Sequence, residues 1–213
     1  MEDPAVVLKT AQDQLTPRPN RFLARLEAGD VPAERLRDLA GELYRLVGSD
    51  RRSFAILAAR FPEPPAGELY LVLAQGESEA LRLLLDFARV LDVDESWLRA
   101  YEPRALAQAY PAYLTQTAVA GSRSDAALAL LANVDESGRT YTRVADALRD
   151  RYGLPEEALA HFRFFADTPR ELLEAAMDTV GAGLAVGDDP VAAIRCARLV
   201  HSYENLFWDS LLD

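Results

Sequence analysis

The chain is poor in the residues that most often carry chemistry. It has one cysteine, Cys196, and two histidines, His161 and His201. A single cysteine excludes an intrachain disulfide. It also leaves a structural zinc site, which wants four nitrogen or sulfur ligands, short of donors. There is no glycine-rich phosphate loop, no C-x-x-C and no H-E-x-x-H. No serine sits in anything like a nucleophile elbow. Glu-x-x-His pairs, the mark of di-iron carboxylate sites in helical bundles, are missing too: three residues after Glu77 stands Ala80. Both histidines read as ordinary partly buried residues rather than ligands.

Basic charge is also scarce. Lys+Arg number 23 against 34 Asp+Glu, a net charge of −11. Such a surface repels phosphate backbones and anionic membranes, so no nucleic-acid partner is expected. No apolar run approaches the roughly 20 residues a spanning helix needs, so no membrane partner is expected either. The N-terminus lacks the basic region and long apolar run of a signal peptide, and a cytoplasmic location is the expectation.

What is present is a helical pattern. Half of the residues are hydrophobic, and the length suits a single domain over residues 1–213 with a full-sized core. Stretches with apolar residues at helical spacing are separated by Thr16–Pro19, Gly29–Asp30, Phe61–Pro65, Gly121, Gly153 and Gly187–Asp188. Asn20, Asp94, Ser124 and Asp189 stand where N-caps belong, and Thr168-Pro169-Arg170-Glu171 has the form of a capping box. No stretch alternates with period two. The reading is an all-α bundle of about eight to ten helices.

Three carboxylates interrupt apolar stripes. In the last helix, Asp189 to Asp213, the stripe Ala193, Ala197, Val200, Glu204, Phe207, Trp208, Leu211 has Glu204 as its one polar member. A carboxylate on a core-facing stripe is costly unless paired. Glu204 is therefore a candidate functional group, or else a structural partner of an arginine or tyrosine. Glu77 interrupts the stripe Tyr70, Leu73, Ala74, Leu81, Leu84, unless Gly76 bends the helix and lets it reach water. Asp50 points inward if its helix runs unbroken through Gly48-Ser49; a break there, the favoured reading, leaves it only a cap. Ser137 and Tyr141 place two hydroxyls on one face, and a buried hydroxyl normally finds a partner.

The final helix, with Ser202-Tyr203-Glu204 and Phe207-Trp208-Asp209, resembles the closing helix of the TenA family, relatives of thiaminase II with a heme-oxygenase-like all-α fold. Phe22-Leu23, Gly29-Asp30-Val31-Pro32, Tyr44, Tyr110-Pro111-Ala112-Tyr113-Leu114 and Ala120-Gly121 fit as well, so the resemblance covers about residues 20 to 212. It implies an aminopyrimidine-type pocket with Glu204 as the catalytic acid/base. The hypothesis built on it has Tyr44, Tyr141, Tyr203 and Phe207 lining the pocket, Ser137 offering a hydroxyl, and Glu77 or Asp50 binding an amine.

The sequence departs from the family in two places. The family's pyrimidine-binding aspartate is replaced by Leu43, and its nucleophilic cysteine by Ser137, or by Asn133 in another alignment. A serine without a visible base is a poorer nucleophile than cysteine, so ordinary thiaminase chemistry is not expected. Di-iron relatives of the fold would need ligands where Ala80, Thr168, Leu172 and Ala175 stand. The expectation is a small-molecule ligand, no metal, no cofactor, and a homodimer or homotetramer. Two readings stay open: a cofactor-independent, hydrolase-like enzyme acting on a small amine-bearing heteroaromatic, or a non-catalytic binding or regulatory protein. A metal oxidase ranks third.

Overall fold

A computed structural model describes residues 2–212. The described residues form ten helices and no strand: α1 (Pro4–Asp13), α2 (Arg21–Ala28), α3 (Ala33–Arg60), α4 (Ala66–Val90), α5 (Glu95–Ala100), α6 (Ala109–Ala120), α7 (Arg123–Tyr152), α8 (Glu156–Ala166), α9 (Arg170–Ala185) and α10 (Pro190–Ser210). The all-α expectation holds. Asp213, the outer limit assigned to the last helix, lies outside the described residues.

Local chemistry sets most of the helix ends. Asn20 accepts a hydrogen bond from Leu23 N at 2.9 Å, Asp94 from Trp97 N at 2.8 Å and Asp189 from Val191 N at 2.9 Å. Each satisfies a backbone donor that has no partner inside its helix. Gly29 and Gly153 end α2 and α7 with φ of +79° and +67°, where a side chain would be strained.

Two caps differ from expectation. α7 begins before Ser124, at Arg123, because Asp125 accepts from both the Ser122 N–H (3.0 Å) and the Ser122 hydroxyl (2.7 Å). Ser124 is buried inside the helix and gives its hydroxyl to Asp188 at 2.8 Å. The capping box at Thr168 does not form: Pro169 occupies the N-cap of α9 and no side chain caps it.

The break at Gly48-Ser49 is absent. α3 is continuous for 28 residues. A glycine inside a helix costs about 1 kcal/mol, which tertiary packing readily overrides. Here α3 packs on α4 more extensively than any other helix pair does, and Ser49 Oγ lies 3.3 Å from Thr115 Oγ1 of α6.

α7 is the hub of the bundle, touching α1, α2, α6, α8, α9 and α10. The apolar interior divides into two clusters. One gathers around Leu43, Leu84, Phe87, Phe162 and Phe207. The other gathers around Leu57, Leu69, Tyr70, Leu128 and Val180. Leu46 and Trp208 belong to the first, Phe54, Leu73 and Val200 to the second, and all five line one cavity. The cavity therefore sits where the two clusters meet.

Candidate functional site

Four walls of this cavity are helices that each substitute a polar residue for one apolar rung. On α3, Asp50 lies one turn from Leu46 and one from Phe54. On α4, Glu77 follows Leu73 by one turn; on α7, Ser137 precedes Tyr141; on α10, Glu204 follows Val200. Side chains four apart share a helix face, so each polar group is carried inward with its apolar neighbours. The enclosed space is about 530 Å³.

The three carboxyls occupy different surroundings. Ser137 donates to Glu204 Oε1 at 3.1 Å. Glu204 is half-buried, and burial pushes its carboxyl up to about 7, against the Ser137 hydrogen bond and with the help of Glu136. Asp50 is 3% exposed. Burial and then the neighbouring Glu204 raise its carboxyl to about 8, while the Tyr110 hydroxyl and Arg52 pull it down. Glu77, also buried, is raised well above the ordinary range by burial and by Asp50. Asp50 Oδ1 and Glu77 Oε2 have no hydrogen-bond partner. Tyr110 and Tyr141 complete the set, their phenols held neutral by burial and by all three carboxyls.

Asp50, Glu77, Ser137, Tyr141, Glu204 and Phe207 are all candidate site residues of the sequence, which leaves open whether they converge; the structure brings all six to the walls of one cavity. The inward reading of Asp50 replaces the cap reading because α3 does not break. Glu77 does not escape to water past Gly76; Phe164 Cζ lies 3.6 Å from where a side chain on that glycine would begin.

Two assigned lining residues are elsewhere. The Tyr44 hydroxyl turns out to Glu95 Oε1 of α5 at 3.4 Å, and the Tyr203 ring packs on Tyr113 of α6 at 5.2 Å between centroids. Both are corrections: Tyr44 and Tyr203 lie on α3 and α10 faces turned away from the cavity. Tyr110 also lines the cavity, a place that its motif Tyr110–Leu114 does not reveal in the sequence. Its inward aspect follows only from how α6 meets α3.

The histidines and the cysteine belong to the framework. His161 Nδ1 lies 2.9 Å from Ala80 O, and burial depresses its imidazole to about 4. His201 Nδ1 pairs with Asn133 Oδ1 at 3.0 Å, and its Nε2 lies 3.2 Å from Thr16 O. Asn133 is further committed to Ala129 O at 2.8 Å. Cys196 is buried beside Thr117, outside the cavity lining, with its thiol pushed up to about 11. It supplies no thiolate near neutral pH.

The model of the TENA/THI-4/PQQC family matches residues 21–213. The chain belongs to this family. Solved members and relatives share its fold at low identity. A TenA homologue from P. horikoshii OT3 is 18% identical, covers 98% of this chain and 94% of its own, and superposes with a TM-score of 0.68. A heme-oxygenase-like domain of unknown function from Shewanella denitrificans OS217 is 11% identical, covers 98% and 88%, and reaches 0.73. A TenA family transcription regulator from Silicibacter sp. TM1040 is 17% identical, covers 97% and 91%, and reaches 0.66. No curated protein matches the chain. The heme-oxygenase-like fold expected from the closing helix is the fold observed.

A di-iron centre, known in this fold, does not fit these residues. Ala80 and Leu172 offer no donor atom, Ala175 packs against the apolar core, and Thr168 offers only a hydroxyl at the cavity wall. Among the described residues no group of three or more His, Cys, Asp or Glu is placed to hold a metal ion. Among them, too, no helix is long and apolar enough to cross a membrane.

Proposed function

We propose that this TenA-family chain binds a small amine-bearing heteroaromatic molecule, of the thiamin-pyrimidine kind, in the cavity between α3, α4, α6, α7 and α10, and turns it over with Glu204 as the acid/base group. The observation that carries the reading is the Ser137–Glu204 pair at the cavity wall, with the Glu204 carboxyl near 7. A group with that affinity for protons is populated in both forms at neutral pH, which suits proton transfer in either direction. Ser137 fixes the carboxyl's orientation. Tyr110, Tyr141 and Phe207 offer ring faces against which a planar heterocycle packs.

The second reading, a binding or regulatory protein that keeps the pocket without turnover, is favoured by one observation. The cavity holds the Ser137 hydroxyl and no thiol. Glu204 is a weak base for a hydroxyl whose own acidity is negligible, so attack by Ser137 is slow, and activation of water by Glu204 is the route left to an enzyme.

The test is thermal unfolding of the wild type and Glu204→Gln with and without the thiamin pyrimidine fragment, followed by long incubation and product analysis. Ligand binding to the folded state raises Tm. A shift that disappears in Glu204→Gln, together with conversion of the ligand, supports the enzyme reading. A shift with the ligand recovered unchanged supports the binding reading. Assembly as a homodimer or homotetramer is part of the same proposal, and light scattering tests it.

A further inference from the structure

Three buried carboxyls, Glu42, Asp50 and Glu77, and the half-buried Glu204 differ in one respect. Glu42, fully buried on α3, is saturated: its Oε1 accepts from Arg104 N at 2.7 Å and from the Tyr101 hydroxyl at 3.0 Å, and its Oε2 faces Gln108 Nε2 at 3.4 Å. Glu204 has Ser137. Asp50 Oδ1 and Glu77 Oε2 have nothing, although both residues are at least nine-tenths buried and both line the cavity. Buried oxygens normally find donors, and leaving one without a partner costs free energy that a ligand donor recovers. Two such oxygens on facing helices point to a donor that reaches both. An ammonium has three N–H groups and positive charge, and among the described residues no arginine or lysine hydrogen-bonds to either oxygen.

The space around this pair is apolar and large. Leu46, Phe54, Leu73 and Leu114 surround it, and the wall continues to Val72 and Phe164, which are 53% and 39% exposed at the rim. Cavities of a few hundred Å³ hold molecules well beyond one ring, and this one has about 530 Å³.

Resting on the reading of the cavity as the ligand site, we propose that Asp50 and Glu77 form its amine-binding end, and that it takes primary amines with an apolar body long enough to reach the Val72–Phe164 rim. The groups facing Asp50 are Glu77 from α4, Tyr110 from α6, Tyr141 from α7 and Glu204 from α10, with Arg52 on its own helix. None but Arg52 is a cation. Arg52 is exposed and donates to neither of the two unpartnered oxygens, so the Asp50–Glu77 pair retains a proton at neutral pH. The arriving ammonium replaces it, the proton leaves to solvent, and the charge in the cavity is unchanged. Arg163 at the cavity wall does not compete, since it is committed to Asp146 at 2.9 Å.

The experiment is isothermal titration calorimetry of the full chain at pH 7 with octylamine, butylamine and 1-octanol, each in phosphate and in Tris. The same titrations are run on Asp50→Asn and Glu77→Gln. Charged hydrogen bonds make octylamine bind at least about tenfold tighter than 1-octanol, and the shorter body makes butylamine weaker by about tenfold or more. The two buffers report about one proton released per octylamine bound. In either variant the preference for amine over alcohol disappears while 1-octanol binds as before. Octylamine binding no tighter than 1-octanol, or without proton release, overturns the inference from the wild type alone, whatever the folding of the variants. So does a preference that survives both substitutions. The thiamin pyrimidine fragment, titrated in parallel, keeps the two readings apart. Its failure with octylamine still preferred removes only the heteroaromatic reading; its success with no amine preference removes only this inference.

Discussion

Ser137 Oγ on α7 donates a hydrogen bond to Glu204 Oε1 on α10, across 3.1 Å, at the wall of the central cavity. The bond favours the ionised carboxyl, so it holds Glu204 below where burial alone would leave it. Ser137→Ala removes it. The expected result is a Glu204 titration moved upward by about half a unit to one unit, the worth of one ordinary hydrogen bond. The pH dependence of ligand affinity, or of turnover once a substrate is in hand, reads the shift directly. An unmoved profile would detach Ser137 from Glu204.

Asp50 and Glu77 should make the protein less stable as pH rises. For Asp50 the folded carboxyl is raised from 3.8 to about 8. Between those values the folded chain binds more protons than the unfolded chain, so folding is favoured at the acid end and that advantage is lost as pH rises through about 8. Asp50→Asn removes the titration and the buried charge. It should stabilise the protein at pH 8 by about 1–3 kcal/mol, at roughly 2–4 °C in Tm per kcal/mol, and flatten the decline of Tm between pH 5 and 8. Equal slopes in wild type and variant would contradict the burial of this carboxyl.

His161 acts in the opposite sense. Its folded imidazole is lowered from 6.5 to about 4. Between those values the unfolded chain binds more protons, so the stability it contributes is complete above about 6.5 and is lost as pH falls through about 4. His161→Gln should flatten the acid limb of Tm against pH. Together with the carboxyls, this places the stability maximum of the wild type at mildly acidic pH, measurable by scanning Tm from pH 4 to 9.

Gly41 is required by Tyr101. A Cβ at position 41 would lie 2.5 Å from the Tyr101 ring, whose hydroxyl anchors Glu42. Gly41→Ala should therefore cost about 1–3 kcal/mol through overpacking, outweighing the gain in helix propensity. Denaturant unfolding measures it, and a neutral result would mean that the segment around Tyr101 gives way easily.

The aromatic residues divide sharply. Tyr110→Phe removes the hydroxyl beside Asp50 and should change ligand affinity by about tenfold. Tyr44→Phe and Tyr203→Phe should leave affinity alone, since both side chains face away from the cavity. Binding of the thiamin pyrimidine fragment to the three variants makes the comparison.

What could be read in the sequence and what could not follows from range. Asn20, Asp94 and Asp189 cap as expected because a cap acts within three residues. Ser124 and Thr168 looked like caps but were captured by distant demands, a hydrogen bond to Asp188 and a place on the cavity wall. Gly48-Ser49 looked like a break because propensity is local, while the packing of α3 on α4 that carries the helix through is not.

By itself the sequence determined an all-α chain and two of the carboxylates that face inward, Glu77 and Glu204, since period and stripe are properties of one helix at a time. It singled out Glu204, Glu77 and Ser137 for the same reason, and the family resemblance named the fold. Only the tertiary structure decided that these groups share one cavity, that Tyr110 joins them, and that Tyr44 and Tyr203 do not. The angle at which one helix meets another depends on side chains from both, and no single stripe records it. The contrast between a saturated Glu42 and an unsatisfied Asp50–Glu77 pair arises in the same way. A buried oxygen's partners come from segments dozens of residues away, and only their packing shows which oxygens are left to a ligand.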